Sequence, residues 1–242
     1  MSESIIVNEG ASNNVVDRTG IRVGIVDSGF RVDQQDWVED GAAFILHEGA
    51  LWMDEPSEDP INHGSRLLDI IHHHAPEALF YAAQVFNQRN TTTAAQVAAA
   101  IDWLVSQKVR VINLSLGLRD DRPVLKEAVN KALSAGVILC ASSPARGDPV
   151  YPSAYDGVIR MTGDARCALN EISWLNTQYA DFGGHVLGFD QQQQTAGASL
   201  GCAHMTGHIT QLLQASPDAG KEVVVKKLQQ QASYRGPERR VS

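Results

Sequence analysis

The chain has 242 residues and a mass of 26.2 kDa, with 43% hydrophobic and 20% charged side chains. That is apolar enough for a large core and excludes a disordered or fibrous protein. Its 20 Lys and Arg against 28 Asp and Glu give a net charge of −8, the wrong sign for a non-specific nucleic-acid binder or a protein held by charge on an anionic membrane.

Residues 1–20 read as an N-terminal extension. Their start, MSESIIVNEG, has no basic n-region and no apolar stretch of secretory length. Short β-branched apolar runs follow at 21–27 (IRVGIVD), 79–85 (LFYAAQV), 109–116 (VRVINLSL), 137–141 (VILCA) and 158–162 (VIRMT). Helices are predicted between and after them, over 65–74, 94–105, about 121–136, 199–214 and 220–231. The second has apolar residues at i, i+3, i+4 spacing after a capping threonine run; the third has Pro123 in its first turn and ends at Gly136. Strands alternating with helices predict one α/β domain over 21–231, a three-layer sandwich with a central, mostly parallel sheet. The glutamines at 191–194 read as an exposed loop, and 232–242 as a polar, mobile tail. No stretch reaches the roughly 18 apolar residues of a membrane span. The three cysteines, Cys140, Cys167 and Cys202, match neither a disulfide framework nor a zinc spacing, so a reducing cytoplasm is the expected compartment.

Three segments place a reactive side chain where an element meets a turn of small residues. GIVDSG ends a strand at Asp27, a position from which a carboxylate can orient a histidine. NHGSRLLDIIHHHAP has His63 near a helix start, where an imidazole held at Nδ1 keeps Nε2 available as a base. TAGASLGCAHMTGHI opens a close-packed helix at Ser199, whose hydroxyl lies near helix-terminal N–H groups able to hold an oxyanion. Taken singly, each has a plainer reading: a turn acceptor, a capping histidine, an N-cap serine.

Together, in the order Asp, His, Ser, these segments resemble those of the subtilisin-like serine proteases. VDSG is similar to that family's Asp segment, HGSRLLDII to its HGT segment, and GASLGCAHMTG to GTSMAAPHVAG. VINLSLG (111–117) resembles the substrate-binding strand, and YPSAYDGVIRMTG (151–163) the family's YPAAYPGVIAVGA stretch. The resemblance implies a serine endopeptidase with the triad Asp27, His63 and Ser199, acting on peptide or protein substrates; the charge and the absence of a membrane span already argue against nucleic-acid and membrane partners. It further implies that an extended substrate pairs with Ser115, Leu116 and Gly117. No catalytic cofactor or metal is implied; calcium stabilises many relatives, no Asp-rich loop here argues for such a site, and structural calcium is left open.

Several positions depart from the family pattern. Where relatives read AAAGN, with the asparagine as oxyanion donor, this chain reads CASSPARG (140–147). The equivalent position falls near Ala145, with Pro144 or Ser143 as neighbouring alignments, and Ser142 or Ser143 as candidate hydroxyl donors. Ala203 replaces a proline and Asn62 a glycine. Val150, just before Tyr151-Pro152, stands where relatives often have the glycine of the pocket floor. It predicts a shallow pocket taking Ala, Gly or Ser, unless its side chain turns into the core. His72, His73 and His74 read as cations at a helix C-terminus, and Cys202 as a small core residue. A compact cytoplasmic processing peptidase, trimming precursor or leader peptides, is the function expected; a peptide-binding pseudoprotease is the rival.

Overall fold

The computed structural model describes residues 19–189 and 197–238. The glutamine loop at 191–194, and nearly all of the predicted extension, lie outside the described residues. In chain order the elements are β1 (Arg22–Asp27), a 3-10 turn (Val32–Trp37), β2 (Val38–His47), β3 (Ala50–Asp54), α1 (His63–His74), β4 (Leu79–Gln84), α2 (Ala94–Ser106), β5 (Val111–Leu114), α3 (Pro123–Ser134), β6 (Ile138–Ser142), β7 (Ile159–Gly163), β8 (Ser173–Trp174), β9 (Phe182–Gly184), α4 (Ala198–Ala215), α5 (Lys221–Gln231) and β10 (Tyr234–Arg235).

Ten strands form one sheet in the order β10-β8-β9-β7-β6-β5-β1-β4-β2-β3, parallel except for the β2/β3 and β8/β9 pairs. The three-layer α/β architecture is as the alternating pattern predicts. One core lies between the sheet and α1, α4 and α5, with Leu67, Ile71, Met205 and Leu228 fully buried; the other lies under α2 and α3, with Ile101, Leu104 and Leu125.

The topology itself marks a crevice. From β1 the chain passes through β2 and β3 to β4 on one side of β1 and then crosses to β5 on the other, so the strand order reverses at β1, and open α/β sheets bind ligands at the carboxyl ends of such strands. Side-chain alternation then decides what faces which layer. Val23 and Ile25 pack in the α1/α4 core, and Val26 in the α2/α3 core, so residue 27 points to the α1/α4 side. In β5, Val111 faces α4 while Ile112 and Leu114 face α2/α3, which puts Asn113 and Ser115 on the α4 side as well.

Several regions differ from the sequence prediction. The β2–β3 hairpin and the short strands β8 and β9 are unpredicted, and β3 is exposed along its whole length. Residues 232–238, predicted as part of a mobile tail, instead close the far edge of the sheet. Tyr234 and Arg235 pair with β8, the Ser233 amide donates to Ile172 O (2.9 Å), and the Arg166 guanidinium donates to Gly236 O (2.8 Å) and lies over the Tyr234 ring.

Candidate active site

Asp27 ends β1 with 1% exposure, and its Oδ1 accepts the Ser28 amide (2.8 Å), the Ser28 hydroxyl (3.1 Å) and His63 Nδ1 (2.8 Å). A carboxylate only accepts, so the proton resides on Nδ1 and Nε2 keeps its lone pair. The His63 side chain is 33% exposed against 1% for Asp27, leaving the ring open to a substrate while its partner is sealed. Burial, the largest influence, pulls the His63 pKa down; the Asp27 charge and hydrogen bond, helped by the Asp59 charge, outweigh it and raise the pKa above 6.5. The Ser28 hydroxyl also accepts the Gly64 amide (2.9 Å), fastening the start of α1 to the end of β1. That approach requires glycine, because a Cβ at Gly64 would lie 2.3 Å from Gly29 O.

Ser199 is the second residue of α4. Its hydroxyl donates to Ser115 O (3.1 Å), and the Ser115 hydroxyl reciprocates to Ser199 O (3.1 Å) and Asn113 Oδ1 (2.9 Å). Asn113 Nδ2 in turn donates to Thr206 Oγ1 (2.9 Å) and Cys202 Sγ (3.5 Å). The helix sits directly on β7, where a Cβ at Gly201 would meet Thr162 O at 2.3 Å. Asp27 is thus joined to His63, and Ser199 to the start of the Ser115–Leu116–Gly117 segment. Among the described residues no hydrogen bond joins His63 to Ser199; the hydroxyl is turned to Ser115, and rotation about χ1 moves it between staggered positions.

The candidate oxyanion donors are engaged elsewhere. Ser142 and Ser143 are 7% and 6% exposed, and their hydroxyls go to Leu116 O (3.5 Å) and Tyr179 O (2.7 Å). Ala145 lies exposed in the bend after β6. Ser115 and Leu116 are buried while Gly117 is exposed, and Leu118 pairs with Tyr151 through two backbone bonds of 2.7 and 2.8 Å. Val150 is half-buried, belongs to neither core, and packs on Gly117, where a Cβ would lie 2.9 Å from Val150 Cγ2.

The three adjacent histidines do not form a row of exposed cations. His72 stacks on Trp37 with ring centroids 3.8 Å apart, whereas His74 is buried and its Nε2 lies 2.9 Å from His204 Nδ1, with His204 Nε2 2.8 Å from Leu187 O. That carbonyl fixes the proton of His204 on Nε2, so His74 must donate to Nδ1. Burial first, then the neighbouring His208, pushes His74 down to about 3; burial also takes His204 down to about 4. Cys140, Cys167 and Cys202 are free and buried, and burial pushes the Cys202 thiol up to about 12. Among the described residues no group of three His, Cys, Asp or Glu could hold a metal ion.

Sequence reasoning missed Asn113 and Asp59. An asparagine inside the apolar run VINL and an aspartate four residues before His63 were the available signals.

A parallel sheet with a histidine–carboxylate pair and a helix-start serine at its switch point defines an α/β protein of the hydrolase kind. The profile of the subtilase family matches residues 18–241, and the chain belongs to that family. The minor extracellular protease Epr of Bacillus subtilis is 29% identical over 154 residues, covering 59% of this chain and 23% of that protein. The thermostable alkaline protease of Halalkalibacterium halodurans is 29% identical over 169 residues, 65% of this chain and 45% of that one. This chain therefore spans less than half the length of either relative. Subtilisin of Bacillus pumilus is 24% identical over 242 residues, 90% of this chain and 86% of its own. The fold is shared with an S41 psychrophilic protease (TM-score 0.65, 21% identity, 89% of this chain and 84% of that one) and with proteases from Pseudoalteromonas arctica (TM-score 0.67, 17% identity, 88% and 83%). Among the described residues no helix is long and apolar enough to cross a membrane.

Proposed function

We propose that this chain is a serine endopeptidase with Asp27, His63 and Ser199 as its triad. The observation that carries the reading is the 2.8 Å Asp27–His63 contact at the switch point of a subtilase sheet, with Ser199 starting the adjoining helix. His63 Nε2 takes the Ser199 proton as Oγ bonds to the scissile carbonyl carbon. The same proton then passes to the departing amine as the C–N bond breaks, leaving an acyl ester that water hydrolyses with His63 again as base. Asp27 holds the ring and stabilises the imidazolium. The Ser199 amide is the oxyanion donor, without an asparagine beside it.

The substrate lies extended along Ser115, Leu116 and Gly117, and Val150 makes its pocket shallow, favouring Ala, Gly or Ser before the cleaved bond. A weak oxyanion hole and a restricted pocket support a slow, selective enzyme, and precursor or leader-peptide processing is the role we assign. Three free, buried cysteines accord with a reducing cytoplasm. A fluorophosphonate should label the protein stoichiometrically, and Ser199→Ala should abolish both labelling and peptide cleavage. Labelling that persists in Ser199→Ala, or an adduct mapped to Ser142 or Ser143, overturns the triad. Peptide binding with neither labelling nor cleavage would mean a pseudoprotease.

A further inference from the structure

His63 is the first residue of α1, the end at which unsatisfied N–H groups and the helix dipole make the potential positive. A cation there is disfavoured, yet a triad histidine must become one in the transition state. The helix also lacks an ordinary cap: Asn62 sits at the N-cap with φ 58° and makes no side-chain capping bond.

Asp59, only 6% exposed, supplies what both deficits require. Its Oδ1 accepts the amides of Ile61 (3.1 Å) and Asn62 (2.9 Å), holding the two residues that lead into His63. Its Oδ2 accepts the amide (2.8 Å) and hydroxyl (2.6 Å) of Ser65, in the first turn of the helix. We propose that Asp59 is a positioning residue of the active site, whose fixed carboxylate caps the start of α1, aims His63 at Asp27 and offsets the positive helix end when the imidazolium forms. The catalytic part builds on the peptidase reading above; the electrostatic part does not need it.

Charge supports the geometry. Burial, the largest influence on Asp59, favours the neutral acid, but the bonds from Ser65, Ser28 and Ile61 outweigh it and hold the carboxyl below its ordinary range. Asp59 is therefore an anion at neutral pH. The charged groups that bear on His63 are Asp27 from β1, Asp59 from the loop before α1, and Arg66 on α1, which opposes them; α4 brings the neutral Ser199.

The test titrates His63 directly, by ring NMR signals assigned through their loss in His63→Ala, in the wild type, Asp59→Asn and Ser65→Ala. Asp59→Asn should move the His63 titration towards acid by about half a pH unit, since opposite charges a few ångströms away raise a histidine by that order or more. The acidic limb of kcat/KM should move with it, and kcat should fall several-fold. Ser65→Ala lowers Tm but keeps the carboxylate, so the His63 titration should stay in place. An Asp59→Asn protein titrating as wild type, or a Ser65→Ala protein shifting equally, overturns the proposal. If neither Asp59→Asn nor Asp59→Ser folds, the carboxylate belongs to the fold alone and the proposal fails. A wild type that hydrolyses nothing rejects the peptidase reading, while the NMR titration still decides the role of Asp59.

Discussion

At the scale of single residues, the departures at CASSPARG and Val150 have separate consequences. With the Ser142 and Ser143 hydroxyls bound to the Leu116 and Tyr179 carbonyls, neither is free to meet an oxyanion. Ser143→Ala should therefore change kcat by less than about twofold, whereas Ala145→Asn should raise it about tenfold, part of the roughly 3 kcal/mol that an amide donor contributes in subtilisin, the established example. Steady-state kinetics on one peptide decide it: a large loss in Ser143→Ala makes that serine a donor after all. Val150 rests on Gly117, and on the proposed reading it fills space a larger substrate side chain would need. Overfilling a packed site costs about 1–3 kcal/mol, so a peptide library should select small residues before the cleaved bond and Val150→Gly should admit Phe and Leu. Selection of aromatic residues by the wild type would place the pocket elsewhere. The sequence shows which residue types are available at these positions but not where a hydroxyl points; that depends on carbonyls 26 and 36 residues away.

Among the elements, α1 and α4 present His63 and Ser199 at their N-termini and are pinned together further along by His74 and His204. Two histidines held neutral by burial give a definite acid sensitivity. Their folded pKa values lie below the unfolded one, so the folded state binds fewer protons, and stability is complete above pH 6.5 and falls as pH drops towards about 4 and about 3. The loss is of order 1 kcal/mol per pH unit for each histidine. Tm measured from pH 7 to pH 4 should decline progressively, and His74→Gln, which keeps a donor for His204, should flatten the decline. A wild-type Tm that stays level over that range contradicts the assignment. Five inner strands and the five α-helices of the described residues were legible because strands covered on both faces read as unbroken apolar runs and the helices as amphipathic ones. The hairpin strand β3 is exposed along its length and so carries no burial pattern, and β8, β9 and β10 have two or three residues each, too few for a period. β10 is held by backbone bonds and by arginines over Tyr234 and Trp174, which leave no apolar signature in a polar segment. The Asp27, His63 and Ser199 segments were legible through their family resemblance; the Asp59 network was not, because its partners are mostly backbone amides.

For the whole molecule, the formal charge of −8 is not evenly felt at the crevice. A cleft of about 820 Å³ beside the end of β4 is lined by Asp54, Glu55, Glu58 and Asp59, with no Lys or Arg in its wall. Such a field attracts cations and is screened by salt. A peptide carrying Lys or Arg should therefore show kcat/KM several-fold above its Glu analogue at about 10 mM ionic strength, with most of the difference gone by about 0.5 M. Equal rates for the two peptides at low salt would mean that the substrate path avoids this wall.

α4 is the helix on which α1 and strands β5, β6, β7 and β9 all pack, and it follows every one of them in the chain. A ribosome has made all five of those elements before it adds Ser199. Until then the nascent protein holds a histidine and its carboxylate with no hydroxyl to activate, while the apolar faces of α1 and the central strands lack their cover. A chain interrupted there lacks the proposed nucleophile and leaves apolar surface uncovered, so it should resist fluorophosphonate labelling and tend to aggregate.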